Sequence, residues 1–167
     1  MKVYKNLLLG VAAATIAISG FQAVGADNLS AQDRKFMEDA AKGGMKEVHM
    51  GHLGMEKGMS QGVKSFSQRL INDHSKANEE LTALAKKKGV TLPADDPRMV
   101  SSMPLAKQTG ADFDKAFAKD MVEDHQKDVA AFEKEASSGS DPDLKNWASK
   151  TLPTLRAHLS DAQALNK

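Results

Sequence analysis

Two stretches of the chain set a histidine, preceded by an aspartate, into a row of apolar residues at helical spacing. Ile71-Asn72-Asp73-His74 lies in the row Val63, Phe66, Leu70, Leu81, Leu84. Val122-Glu123-Asp124-His125 lies in the row Phe113, Phe117, Met121, Val129, Phe132. Rows of this period belong to amphipathic helices, whose apolar stripes must be buried against one another. A titratable group on such a stripe is costly unless it is paired or bound. The chain must therefore pack helices together and also give the histidines inside them a partner.

The remaining rows complete a four-helix pattern. Ser30 is a good N-cap with Asp33 in the first turn, and Phe36, Ala40, Gly44, Glu47, Gly51 and Gly54 repeat at helical spacing up to Gly58. Ser60 opens the second helix, which closes on Lys86-Lys87-Lys88-Gly89, cations at the negative end of the helix dipole. Pro93, Pro97 and Pro104 mark a connection, with room for a short helix after Asp96-Pro97. The third long helix starts at Thr109–Asp112 and ends at Ser137-Ser138-Gly139. Asp141-Pro142 opens the fourth, with Leu144, Trp147, Thr151, Leu155, His158, Ala162 and Leu165 on one face; Pro153 predicts a kink or a break there. No strand-like alternation appears. The expected fold is all-α, a four-helix bundle with a long, proline-containing connection between helices 2 and 3.

The first stretch reads differently. Lys2 and Lys5 precede an apolar run from Leu7 to Phe21, and Val24-Gly25-Ala26 offers small residues for cleavage. The expectation is a secretory signal peptide over residues 1–26, with an uncleaved anchor as the alternative, and a bundle domain over 27–167. Its removal takes two lysines and no acid, so 23 basic and 22 acidic residues become 21 and 22. That balance gives no reason to expect a nucleic-acid partner, and no membrane span is expected in the mature chain. The absence of cysteine excludes disulfides and thiolate sites, leaving His, Asp, Glu or Met for any metal. The expected location is periplasmic or outer-membrane-associated.

One polar residue lies on each stripe: Glu47, His74, His125 and His158. Counting from the turns puts the first three at mid-height, at about 1.5 Å per residue; His158 falls roughly 6 Å too far from the last turn. Three imidazoles and a carboxylate suit Zn, Fe, Mn or Cu. Neighbouring residues on a helix point about 100° apart. Asp73 and Asp124 therefore fit the role of acceptors for a ring N–H from another helix, or of bridging ligands. The plainer reading is that each histidine is a hydrogen-bonded core residue and Glu47 is one half of an ion pair with Arg69 or Arg156.

The residues also carry a family pattern: Glu47-Val48 after Gly43-Gly44, Asp73-His74 with Asn78, Gly110 through Phe113-Asp114, Asp124-His125, and Leu152-Pro153 with His158. In this order they resemble the bacterial domain-of-unknown-function family 4142, exported proteins often labelled predicted outer membrane proteins. The resemblance spans about Ala31 to Leu165 and implies a ferritin-like bundle with Glu47, Asp73, His74, Asp124, His125 and His158 as the site. It supplies no activity. Ferritin-like di-iron bundles place a glutamate three residues before a histidine; Ile71 and Val122 stand there instead, which favours a single ion held by histidines.

Met45, His49, His52 and Met59 share a second face of the first helix, opposite Glu47, with Met50 and Met55 nearby. Thioether and imidazole ligands suit copper, and a variable or partner-facing surface is the alternative. Phosphate-binding loops and nucleophile elbows are missing. The leading expectation is a transition-metal-binding protein acting in metal handling or envelope stress, not a catalyst. The alternatives are a ferritin-like metal-dependent oxidoreductase and a non-catalytic envelope structural or interaction protein.

Overall fold

A computed structural model describes residues 29–166; the signal-peptide expectation for residues 1–26 lies outside them. Four long helices form: α1 (Ala31–Lys57), α2 (Gln61–Lys88), α4 (Gly110–Ser138) and α5 (Pro142–Leu165), with a short α3 (Arg98–Ser101) and a 3-10 turn (Pro104–Lys107) between α2 and α4. Their ends follow from local chemistry. Ser30 Oγ accepts from the Asp33 N–H at 3.0 Å and Ser60 Oγ from Val63 at 3.2 Å. Asp141 Oδ1 accepts from the Asp143 and Leu144 N–H groups at 3.1 and 3.0 Å. Each satisfies donors that a helix start leaves free. Gly89 ends α2 at φ 70°, the left-handed region that glycine occupies without a Cβ clash.

The core residues give the topology. One apolar layer joins Phe36 and Met37 of α1, Leu81 and Ala85 of α2, Phe132 of α4 and Leu144 and Trp147 of α5. The other joins Met50, Val63, Phe66, Leu70, Phe113, Phe117 and Met121, closed by Val100 and Leu105 from the connection. The start of α1 thus shares an end with the finish of α2 and α4 and the start of α5. α1 and α5 run one way, α2 and α4 the other, and residues 90–109 travel the length of the bundle. Each fully buried Phe or Leu contributes about 1.5–3 kcal/mol by leaving water.

Each hairpin turn is pinned by an aspartate from the other hairpin. Asp33 of α1 accepts from the Ser140 and Asp141 N–H groups at 2.9 and 3.1 Å. Asp114 of α4 accepts from Met59 and Ser60, both at 2.8 Å. α1 lies close on α2 because Gly51 carries no side chain: a Cβ there would sit 2.8 Å from the Ser67 carbonyl oxygen. Pro153 does not break α5, which runs unbroken from Pro142 to Leu165. Pro153 faces solvent, so the carbonyl it leaves without a donor lies on the wet side. Among the described residues no helix is long and apolar enough to cross a membrane.

Candidate metal centre

Between the two apolar layers lies a polar one. Glu47 sits between Ala41 and Met50 on α1, His74 between Leu70 and Leu81, His125 between Met121 and Phe132, and His158 between Leu155 and Ala162; all four are buried. Helical spacing puts these side chains on the stripe that faces inward, so the packing that forms the two layers also carries them to mid-height. His158 is farther along α5 from the turn than His125 is along α4. Both Cα–Cβ bonds tilt toward their own helix N-termini. In antiparallel helices these tilts bring the two rings toward each other, with no break at Pro153.

Among the described residues, His74, His125 and His158 each place one ring nitrogen within 4.8 Å of the other two. The ring centroids are 5.8 Å apart for His74–His125, 5.3 Å for His74–His158 and 5.3 Å for His125–His158. Phe66 walls the group on the apolar side, its ring 5.9 Å from that of His158. Glu47 is buried at 2% exposure but is not one of the atoms in this group. Its Oε2 is buried without a hydrogen-bond partner, as is His74 Nε2.

The partners of two rings fix where their protons sit. His125 Nδ1 is 2.9 Å from the Met121 carbonyl oxygen, which can only accept, so Nδ1 carries the hydrogen and Nε2 the lone pair. His158 Nε2 is 2.8 Å from Asp73 Oδ2, so Nε2–H donates to the carboxylate and Nδ1 carries the lone pair. These two lone-pair nitrogens face each other at 3.3 Å. Protonation does not relieve the opposition at neutral pH. Burial, followed by the charges of His158 and His125, pushes His74 down to about 3, and burial holds His125 at about 4. His158 is also lowered, by burial first, although Asp73 opposes the shift.

The aspartates of the two Asp-His pairs part company. Asp73 orients His158 from the neighbouring helix. Asp124 forms an ion pair with Lys46 of α1. Two further groups reach the site: the Met121 carbonyl, and Asp128, which lines a small cavity with His74. The Met121 carbonyl is one turn before His125, a position any helical histidine has available. Asp128 follows Asp124 at four-residue spacing, which was signal enough to place it on the same face.

On the outer side of α1, Met45 and His49 are half-buried and His52 is exposed. His49 Nε2 lies 2.8 Å from Asp95 Oδ1 of the connection. Met59 stands beyond the helix end and is 65% exposed, so it leaves the helical face on which periodicity placed it.

Residues 20–165 match the family described as Domain of unknown function (DUF4142), and the chain belongs to it. No curated protein matches by sequence. Among solved structures, the fold is similar to a DUF305 fragment from Deinococcus radiodurans, with TM-score 0.71 and 14% identity over 83% of this chain and 97% of that one. It is similar to CopM in its Cu(I)-bound form, with TM-score 0.64 and 16% identity over 79% and 93%. A conserved hypothetical protein from Mycobacterium tuberculosis gives 0.65 and 14% over 80% and 96%. At these identities the likeness is one of fold.

Proposed function

We propose that this DUF4142 protein binds one transition-metal ion in its bundle core through His74, His125 and His158, and that it serves in metal handling or envelope stress in an exported compartment rather than as a catalyst. One observation carries the reading: two unprotonated ring nitrogens, His125 Nε2 and His158 Nδ1, face each other at 3.3 Å. Two nitrogens bound at about 2.05 Å to one tetrahedral ion stand roughly 3.4 Å apart. A cation between them turns an electrostatic repulsion into two bonds. Asp73 and the Met121 carbonyl, by taking the other ring hydrogens, do for these imidazoles what outer partners do in histidine metal sites.

Three neutral imidazoles suit zinc or copper better than the oxygen-loving Mn. The fold neighbour CopM has been captured with Cu(I), Cu(II) and Ag, which supports the choice of a soft or borderline ion. No bridging carboxylate belongs to the nitrogen group, so a single ion fits this site better than the di-iron centre of a ferritin-like oxidoreductase. Equilibrium dialysis against Zn(II) and against Cu(I) tests the proposal. Wild type should retain about one ion per chain and His74→Ala/His125→Ala only a trace. Equal retention by both would overturn it, leaving an envelope interaction protein with a hydrogen-bonded polar core.

A second reading places Cu(I) on the outer side of α1. The specific observation is that Met55 and Met59 are the exposed large hydrophobics of the described residues, on the same stretch of sequence as Met45, His49 and His52. Thioethers in water are poor packing and good Cu(I) ligands. Replacing Met45, His49, His52 and Met59 together should then lower Cu(I) stoichiometry while Zn(II) binding in the core persists; an unchanged Cu(I) count would retire this reading.

A further inference from the structure

We propose that the seam between α1 and α4 is the loading route to the core site, with Asp120, Asp124, Asp128 and Glu47 as a carboxylate relay and Lys46 as its resident counter-ion. The inference rests on the core-site reading and adds how an ion reaches a site enclosed by two apolar layers. Asp120, Asp124 and Asp128 stand at four-residue spacing on α4, hence on one face. All three are half-buried, and the row runs along the helix past the level of His125, with Asp128 three residues beyond it. Opposite them on α1 are Gly43, Lys46 and Glu47. A Cβ on Gly43 would lie 4.0 Å from Asp128 Oδ1, and Lys46 is ion-paired with Asp124.

Asp128, at the far end of the row, reaches a cavity beside His74. This cavity, of about 20 Å³, touches Gly43, Gly44, Asn78, Asp128 and His74. Such a volume holds one water or one bare ion. Beside it Gly44 lets the Asn78 side chain lie against α1, where a Cβ would come within 2.0 Å of Asn78 Oδ1. Glu47 is the independent sign that something is to be received here. Its carboxyl is 2% exposed, Oε2 has no partner, and the charges nearest it are Asp128, Asp124 and Lys46.

The charge balance of the seam points the same way. From α1 it is faced by Lys46 and Glu47, and from α4 by Asp120, Glu123, Asp124 and Asp128, with Lys119 and Lys127 at the margin. Lys119 is drawn outward to within 3.8 Å of Glu123, so Lys46 is left as the cation among the inner carboxylates. Carboxylates removed from water and short of cations attract a divalent ion and concentrate it at the mouth, an effect worth about 10–10³ in association rate.

Stopped-flow uptake of Co(II), followed by its visible absorbance, separates route from site. At low ionic strength, Asp128→Asn and Glu47→Gln should each slow uptake about tenfold or more, and should slow release by a similar factor, leaving equilibrium affinity within about threefold. Lys46→Gln, a change at a half-exposed side chain, should speed uptake and stands in if either inner variant fails to fold. Equal uptake rates in wild type and all three variants would overturn the route and leave the core site intact. Affinity that falls in step with the rate would make the carboxylates ligands, which also overturns the relay. A wild type that takes up no Co(II) overturns the core site itself, and the route with it.

Discussion

The chain has five histidines, and they divide into two groups that differ in what competes for them. His74, His125 and His158 are enclosed between two apolar layers, where water is not an alternative partner. His52 is exposed and His49 lies against Asp95 of the connection. A surface imidazole can turn to solvent or to the nearest acid. A buried one is held to whatever the fold supplies, so Met121 and Asp73 dictate which nitrogen keeps a lone pair. The difference teaches that convergence and burial together, more than the count of histidines, make a site.

The largest expected effect follows from that contrast. Zn(II) free at a hundred times its dissociation constant should stabilise the wild type by about 2.7 kcal/mol. His49→Ala/His52→Ala should keep that gain and His74→Ala/His125→Ala should lose it, as read by thermal melts with and without metal. Similar gains in the two double variants would erase the distinction between the groups. Next in size is Asp73→Asn, which leaves the ligands in place but weakens the acceptor that orients His158. It should reduce Zn(II) affinity about 10–100-fold while changing metal-free stability by much less.

The smallest effect is a pH slope. His74 at about 3 and His125 at about 4 lie below the unfolded value of about 6.5. Between those values the unfolded chain binds more protons than the native one, so these histidines contribute stability at neutral pH that is lost as pH falls from about 6.5 toward 4. Buried acids act oppositely. Asp128 at about 6 and Glu135 at about 7, each raised first by burial, stabilise as pH falls through those values. The clean observable is the difference between wild type and His125→Leu in the metal-free state: the wild type should lose more stability between pH 6.5 and 4. Parallel curves would mean His125 is not held neutral by the fold.

The bundle was readable because its signals are local and repeated. Serine, aspartate and glycine stand where helices start and stop, and the stripes of Phe66–Leu70 and Phe117–Met121 can bury only against each other. The long connection was announced by Pro93, Pro97 and Pro104. Pro153 misled because sequence does not say which side of a helix faces water. The rings of His125 and His158 meet despite their unequal residue counts for a related reason: counts track Cα positions, and the rings lean toward their helix N-termini by enough to close the gap. Asp73 and Asp124, alike in sequence, take different partners because α5 brings His158 to one and α1 brings Lys46 to the other. That is a fact of helix adjacency, which no local pattern encodes. Met59 left its expected face because Gly58 ends α1 one residue earlier.

Whether the core can accept a metal ion turns on where two hydrogens sit. Long-range proton–nitrogen correlation spectra of the imidazoles, recorded on the metal-free protein at neutral pH and again after one equivalent of Zn(II), observe them directly. The structure predicts His125 with its hydrogen on Nδ1 and His158 with its hydrogen on Nε2, both rings neutral, and metal-induced shifts at His125 Nε2 and His158 Nδ1. A His158 imidazolium bridging Asp73 and His125, with ring signals that Zn(II) leaves unmoved, would contradict it.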